Sequence, residues 1–265
     1  MKIAIIGAGN MGSAIAIGLA RSQGFNSENL AVSNRSFDKL ETLAEICSGI
    51  YTSTNNLEVI NDADLIILAV KPWILESVVR EIAPRVNFSC QMLMSLAAGV
   101  SLETIHSWIA DYTSEEPILF RCMPNTAISV GSSMTFISAM GATDDEIDDV
   151  RCVFDLLGHT DVIPENLLPA ATALCSCGIA YVMRYIRAAQ EGAVELGFYP
   201  ERARDYILQT MLGAVKLLNS TGNNPEVEID KVTTPGGVTI RGLNAMEEAG
   251  FSKAVIKGLR ASSNT

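Results

Sequence analysis

The chain has 265 residues, 48% of them hydrophobic and 18% charged, which is the composition of a globular protein long enough for two domains with their own cores. A formal net charge of −11 and an isoelectric point near 4.7 argue against a nucleic-acid partner, because phosphate binding needs a basic surface; an anionic ligand has to be attracted locally. Six cysteines (Cys47, Cys90, Cys122, Cys152, Cys175 and Cys177) in a chain too large to need staples read as reduced thiols of a cytoplasmic protein without an export signal.

The first stretch, "MKIAIIGAGNMGSAIAIGLARS", has one lysine before an apolar run, but glycines at 7, 9 and 12 interrupt it and exclude a signal peptide. It parses as a buried strand from Lys2 to Ile6, a tight turn, and a helix from Asn10 to Ser22. No other stretch approaches the roughly 18 to 20 unbroken apolar residues of a membrane span, so a soluble protein with no membrane partner is expected. Gly7-x-Gly9-x-x-Gly12 between strand and helix is a dinucleotide-binding pattern. Gly7 permits the turn, Gly9 lets backbone approach a pyrophosphate, and Gly12 lets helix and strand pack closely. The phosphates are expected at the positive end of the helix.

The second strand, "LAVSN" at 30–34, ends where an NAD-binding chain places an acid against the ribose 2′-OH; this one has Ser33-Asn34-Arg35-Ser36. Arginine with neighbouring hydroxyl and amide groups suits a 2′-phosphate, so NADPH is preferred to NADH. The alternative is a solvated arginine beside a serine that caps the next helix, and Ser36 is compatible with both roles.

Strand and helix signals then alternate. "DLIILAV" (64–70), followed by Pro72, reads as a central parallel strand and a helix start; "QMLMSL" (91–96), "PILFRCM" (117–123) and "SSMTFIS" (132–138) supply further strands. The loops "AVKP", "SLAAG" and "RCMPNT" follow such strands and are expected to line the crevice of a doubly wound sheet. Lys71 reads as a phosphate or sugar contact, or a solvated charge, ahead of a proton-transfer group.

After "GHTDVIPE" (158–165) the pattern turns helical. Ile179, Val182, Met183, Ile186, Ala189, Ala193 and Leu196 recur at three- and four-residue steps, and a second helix over 200–218 carries Ala203, Ile207, Leu208, Met211, Leu212 and Val215 on one stripe. One chain is not expected to bury both stripes, which points to a dimer interface. The fold class is therefore α/β: a Rossmann-like doubly wound sheet over 1–163 and an all-helical dimerisation and substrate domain over 164–265. In "TTPGGVTIRGL" (233–243), Pro235-Gly236-Gly237 is a turn before a helix carrying Thr239. It reads either as an N-cap with its turn, the commoner arrangement, or as an anion-binding helix end.

"ALCSCGIAY" (173–181) admits three readings: a metal clip, a redox pair, or a loop that grips substrate. Only two histidines, His106 and His159, and no second cysteine pair accompany it, which argues against a metal. The Cys175-x-Cys177 spacing departs from the usual redox motif.

As a set, "IGAGNMG", "SNRS", Asn56, "AVKP", "AAGVSL", "RCMPNT", "AY" at 180–181 and "TPGGVTIRGL" resemble the pyrroline-5-carboxylate reductase family along almost the whole chain. The resemblance implies reduction of a small cyclic imino acid to L-proline by NADPH or NADH, without a metal, in a homodimer formed through the helical domain or a larger ring. It places the cofactor on Gly7, Ala8, Gly9, Asn10, Met11, Gly12, Asn34, Arg35, Ser36, Asn56, Ala69, Val70, Lys71, Pro72, Ala97 and Ala98. It places the substrate carboxylate on backbone N–H groups of a loop at Cys175, Ser176, Cys177 and Gly178 and of Gly236, Gly237, Val238 and Thr239, with Asn125 nearby and Thr239 as the catalytic hydroxyl. The chain departs from the family's Ser-Gly-Ser-Gly-Pro at Cys175 to Ile179, from its proline at Ala127, and from its threonine or alanine at Val238. These departures fall in the substrate half. They keep open a related reductase of another imine, a dehydrogenase of another substrate, and a catalytically silent NADP-binding relative.

Overall fold

Short runs that are apolar at every position need cover on both faces, and a parallel sheet between two layers of helices provides it. The computed structural model, which describes residues 1–263, places such runs side by side. In chain order its first part reads β1 (Ile3–Ile6), α1 (Asn10–Arg21), β2 (Leu30–Ser33), α2 (Phe37–Ile46), β3 (Tyr51–Ser53), α3 (Asn56–Ile60), β4 (Leu65–Leu68) and α4 (Pro72–Ile82). It continues with β5 (Met92–Ser95), α5 (Leu102–Ile109), β6 (Leu119–Met123), β7 (Ser133–Met140), α6 (Asp144–Asp155) and β8 (Gly158–Val162). The strands form one eight-stranded sheet in the order β3-β2-β1-β4-β5-β6-β7-β8, parallel except between β6 and β7.

Alternate residues of one strand enter opposite cores. Ile5, Ile67 and Phe120 pack with Ile15 and Leu19 of α1 and Phe154 of α6, whereas Ile6, Ile66 and Leu119 pack with Leu75 and Val79 of α4 and Ile105 of α5. Strand order reverses at β1, where Ile6 stands level with Ser33 on one side and Leu68 on the other, so the loops leaving these three strands share one edge. That is where a doubly wound sheet binds its ligand.

The sheet is wider than the sequence suggests. β3 has three residues and β8 reads Gly-His-Thr-Asp-Val, so neither carries an apolar run; both lie at the edges, where pairing to a single neighbour suffices. The first compact unit also extends past the expected boundary at 163, to Ser176, because Leu168 and Ala171 pack under Phe136 of β7.

Glu165 fastens this extension. One carboxylate oxygen accepts from the Leu102 backbone N–H at 2.8 Å and from Arg121 Nη1 at 2.7 Å, with the two side chains only 11% and 28% exposed for Arg121 and Glu165. Replacing Glu165 with alanine leaves a nearly buried guanidinium and a helix-start N–H without their acceptor. Breaking such a pair should cost about 2–3 kcal/mol, below the fully buried case because Glu165 is partly solvated. A urea unfolding midpoint unchanged within error would contradict this.

The second unit runs from Cys177 and is all helical. After α7 (Leu168–Ala171) in the first unit, a π-helical turn (Thr172–Ser176) leads into α8 (Gly178–Glu195), then α9 (Pro200–Thr221), α10 (Pro225–Val232), α11 (Val238–Glu248) and α12 (Phe251–Ser263). α8 packs on α9, and Tyr181 joins α8 to α12 through Gly258 O at 3.3 Å and the Ser262 hydroxyl. Among its described residues only Ala203 is buried, while Val182, Met183, Leu208, Leu212 and Val215 of the two stripes are exposed.

One helical segment is longer than the sequence suggests. Residues Glu165–Glu195 form a continuous helical segment of 31 residues with a mean hydropathy of 1.4 over its most apolar 18, long and apolar enough by composition to cross a membrane. Scanned as a run it is broken by serine, threonine and glycine, but no proline lies between Pro169 and Pro200, so helical winding continues through 172–178 and fuses the pieces.

Candidate active site

The edge above β1 is built by the glycine turn. Gly7 has φ +109°, donates its N–H to Ser33 O at 2.8 Å, and a Cβ there would stand 2.7 Å from Ala69 O. A Cβ on Gly12 would lie 1.9 Å from Gly7 O, so helix and turn touch backbone to backbone. A Cβ on Gly9 would meet nothing within 4 Å, which leaves open space beside the backbone. Gly9 is also the N-cap of α1 without a side-chain capping bond, so the first N–H groups of the helix face that space. Asn10 is exposed there, and Met11 turns inward against the core.

Asn34 holds the turn in place. Its Oδ1 accepts from the Ala8 N–H at 3.2 Å and its Nδ2 donates to Ser36 O at 3.1 Å. Arg35 is exposed beside it. Ser36 occupies the N-cap position of α2 as expected, but its hydroxyl makes no capping bond. Asn56, the first residue of α3, accepts from Ser33 Oγ at 2.7 Å and donates to both Glu81 carboxylate oxygens at 3.2 Å. Its amide therefore ties β2 to α4; Ser33 and Glu81, its partners, carried no signal in the sequence.

The remaining cofactor candidates sit on the same edge. Ala69 donates its N–H to Ile6 O at 2.9 Å, Val70 is half-buried, Lys71 is the exposed N-cap of α4, and Pro72 is its first residue. Past β5, buried Ala97 donates to Ser95 Oγ at 3.2 Å and Ala98 is exposed.

The segment at Cys175 to Gly178 is not the loop the sequence suggests. Thr172–Ser176 is a π turn and Cys177 is helical at φ −71°, ψ −34°, so the chain passes through in helical conformation. Ile179 keeps the N–H that a proline would remove, and nothing else here stops a helix. Single π turns occur frequently at functional sites. Burial raises the Cys175 thiol above its ordinary pKa, as it also does for Cys122 and Cys47.

Asn125, expected near the substrate, is buried with its side chain engaged by protein. Oδ1 accepts from the Ala127 N–H at 3.0 Å and Nδ2 donates to Cys175 O at 3.4 Å, while its own N–H donates to Ser133 Oγ at 3.2 Å. It fixes the π turn to the end of β6.

In the second unit, Gly236 has φ +72° and the Gly237 N–H donates to Thr234 O at 2.8 Å. The N-cap of α11 is Gly237, without a side-chain capping bond; Val238 and Thr239, its first two residues, are exposed. The turn thus ends in an N-cap, as the commoner reading has it, but the cap is a glycine, so the first turn of α11 keeps its N–H groups for another acceptor.

Sheet order, glycine edge and helical second unit together define a dinucleotide-binding protein of the doubly wound class. Residues 2–99 match the family model described as NADP oxidoreductase, coenzyme F420-dependent, and residues 165–265 match that described as pyrroline-5-carboxylate reductase dimerisation. Pyrroline-5-carboxylate reductase 1 of Dictyostelium discoideum is 38% identical over 99% of this chain, which spans only 48% of that relative's length. Pyrroline-5-carboxylate reductase 2 of the same organism is 35% identical over 97% of this chain and 89% of its own. The crystal structure of Plasmodium falciparum pyrroline carboxylate reductase with NADP bound superposes with a TM-score of 0.88 at 27% identity, covering 99% of this chain and 95% of that one. The chain belongs to the pyrroline-5-carboxylate reductase family.

Proposed function

We propose that this chain reduces 1-pyrroline-5-carboxylate to L-proline, the last step of proline biosynthesis, with NADPH as the preferred reductant and NADH as a poorer one. The observation that carries the reading is the glycine edge, open at Gly9 and closed at Gly12, in a chain that aligns over nearly its whole length with reductases of that name. The bound nicotinamide supplies the hydride. Gly7 to Gly12 and the start of α1 hold the pyrophosphate, Arg35 and Ser36 meet the 2′-phosphate, and Ala69 to Pro72 with Ala97 and Ala98 line the edge along which the cofactor lies. Asn34 and Asn56 act by holding that edge in shape.

The substrate carboxylate is held by the uncapped N–H groups of α11 at Gly237, Val238 and Thr239, with Gly236 shaping the turn. A helix start of this kind contributes about 0.3–2 kcal/mol to an anion and depends little on side-chain identity, which accommodates Val238. Thr239, whose hydroxyl pKa is too high for an effective acid, orients the ring nitrogen by hydrogen bonding. The exposed stripes of α8 and α9 support a homodimer or a larger ring, and the thiol complement supports a cytoplasmic location.

The test is NADPH oxidation with pyrroline-5-carboxylate, with NADH in parallel. Turnover should favour NADPH, and Thr239→Ala should lower kcat about ten-fold; a loss of about a thousand-fold would make Thr239 the proton donor instead. The altered Cys175 to Ile179 segment favours one second reading, a reductase of a different imine or a silent relative. Tight NADPH binding with no turnover on pyrroline-5-carboxylate would establish it.

A further inference from the structure

We infer that Cys90 and Cys152 form a paired thiol site on the edge of the sheet away from the cofactor crevice, one that exchanges with small disulfides and selects those carrying positive charge. Of the six cysteines, Cys47 and Cys122 are buried and Cys175 and Cys177 are half-buried. Cys90 and Cys152 are the two exposed ones, and both line a single groove of about 710 Å³ in the first unit. The groove lies where strands begin: Asn29 immediately precedes β2, Asp64 immediately precedes β4, and Met92 opens β5. The cofactor loops leave the opposite ends of these strands, so the groove is separate from the crevice.

Each thiol is presented by a fixed element. The N–H groups of Cys90 and Gln91 donate to Asn87 O at 3.1 and 2.8 Å, and buried Gln91 donates from Nε2 to Ile60 O at 2.8 Å and Ala63 O at 2.7 Å, which pins the turn that carries Cys90. On α6, Val150, Val153 and Phe154 take the core face. Glu146, Asp149 and Cys152 follow one another at three-residue steps along its flank, so the helix sets two carboxylates in line with the second thiol. Asp64, held by the Lys2 N–H at 2.6 Å, adds a third carboxylate from the sheet. Among the described residues, no lysine or arginine lines the groove. In a chain of net charge −11, such a groove draws in a disulfide that bears ammonium groups and turns away one that bears carboxylates. The exchange itself needs no further reactant. A cysteine thiolate attacks one sulfur of the disulfide, the S–S bond breaks, and the protein keeps a mixed disulfide. The other half leaves as a thiolate and takes up the proton that the cysteine gave to solvent, so the incoming disulfide is the oxidant and the released thiol its reduced half.

Intact-mass spectrometry and peptide mapping of the full-length protein, incubated with cystamine or with oxidised glutathione, test this. Cystamine should place adducts on Cys90 and Cys152 about ten-fold or more faster than on any other cysteine, as their exposure requires. The fast phase should vanish when Cys90→Ser and Cys152→Ser are combined. Relative to the rate of each reagent with free cysteine, cystamine should outpace oxidised glutathione about five- to thirty-fold at low salt. That gap should close at about 1 M salt, where the screening length falls to about 3 Å. Glu146→Gln combined with Asp149→Asn should narrow it about three-fold or more without added salt. Adducts spread evenly over the six cysteines, or gathered on Cys177, would overturn the paired site. Equal normalised rates for the two reagents, or a preference that the carboxylate variant leaves intact, would overturn the charge selectivity.

Discussion

Gly9→Ala should leave the protein folded and abolish tight NADPH binding, whereas Gly12→Ala should damage the fold itself. At Gly9 the added methyl meets no protein atom within 4 Å, and the backbone at φ −80°, ψ −170° is open to any residue. Alanine is a poorer N-cap than glycine by a few tenths to about 1 kcal/mol, while the loss of chain freedom in the unfolded state offsets a similar amount. Stability should therefore stay within about 1 kcal/mol of wild type. The methyl instead fills the space that a pyrophosphate has to enter, and NADPH affinity should fall about a hundred-fold or more, ~2.7 kcal/mol. At Gly12 the methyl would stand 1.9 Å from Gly7 O and 3.0 Å from Ala69 Cβ. The first obstacle is backbone in a turn already fixed by the Gly7–Ser33 hydrogen bond, so α1 has to move away from the sheet and disturb the packing of Ile15 and Leu19. Overpacking against backbone should cost about 3 kcal/mol. Urea unfolding and calorimetric titration of the two variants separate the effects; equal stability of both would refute the assignment of Gly12 to helix–strand contact.

The contrast also shows what kind of information the sequence carries. The tasks of the three glycines were legible because each depends on the local passage from strand to helix within about ten residues, and the apolar runs of β1, β4 and β5 announced buried parallel strands for the same reason. The amides carry a second role that the sequence does not announce. The family resemblance places Asn34 and Asn56 beside the cofactor and Asn125 near the substrate. Their hydrogen bonds close onto Ala8, Glu81 and Cys175, residues 26, 25 and 50 positions away, and no local pattern reveals such pairings. Ser36 stands at the expected N-cap position of α2 without a capping bond, because residue type gives a preference for a cap but the local backbone decides whether its side chain reaches the first N–H groups. The segment at Cys175 reads as a loop on the family resemblance, once metal and redox chemistry are argued against. No proline lies between Pro169 and Pro200, so the chain winds on through this segment, with a π turn at Thr172–Ser176.

Asn125 connects these findings to activity. Its Oδ1 caps the short turn at Ala127 and its Nδ2 reaches Cys175 O within the first unit, so it holds the π turn in place. Asn125→Ala should lose the cap, worth about 1 kcal/mol, and strand a largely buried carbonyl, worth about another, for a total near 2 kcal/mol. Asn125→Asp is the more informative variant. It keeps the oxygen that accepts from Ala127 but turns an N–H facing Cys175 O into a carboxylate oxygen, so attraction becomes repulsion at the π turn alone. If that turn forms a wall of the substrate site, the aspartate variant should raise KM for pyrroline-5-carboxylate about ten-fold or more, while NADPH affinity stays within about two-fold. A variant that loses stability but retains the wild-type KM would show that the π turn packs the protein without shaping the substrate site.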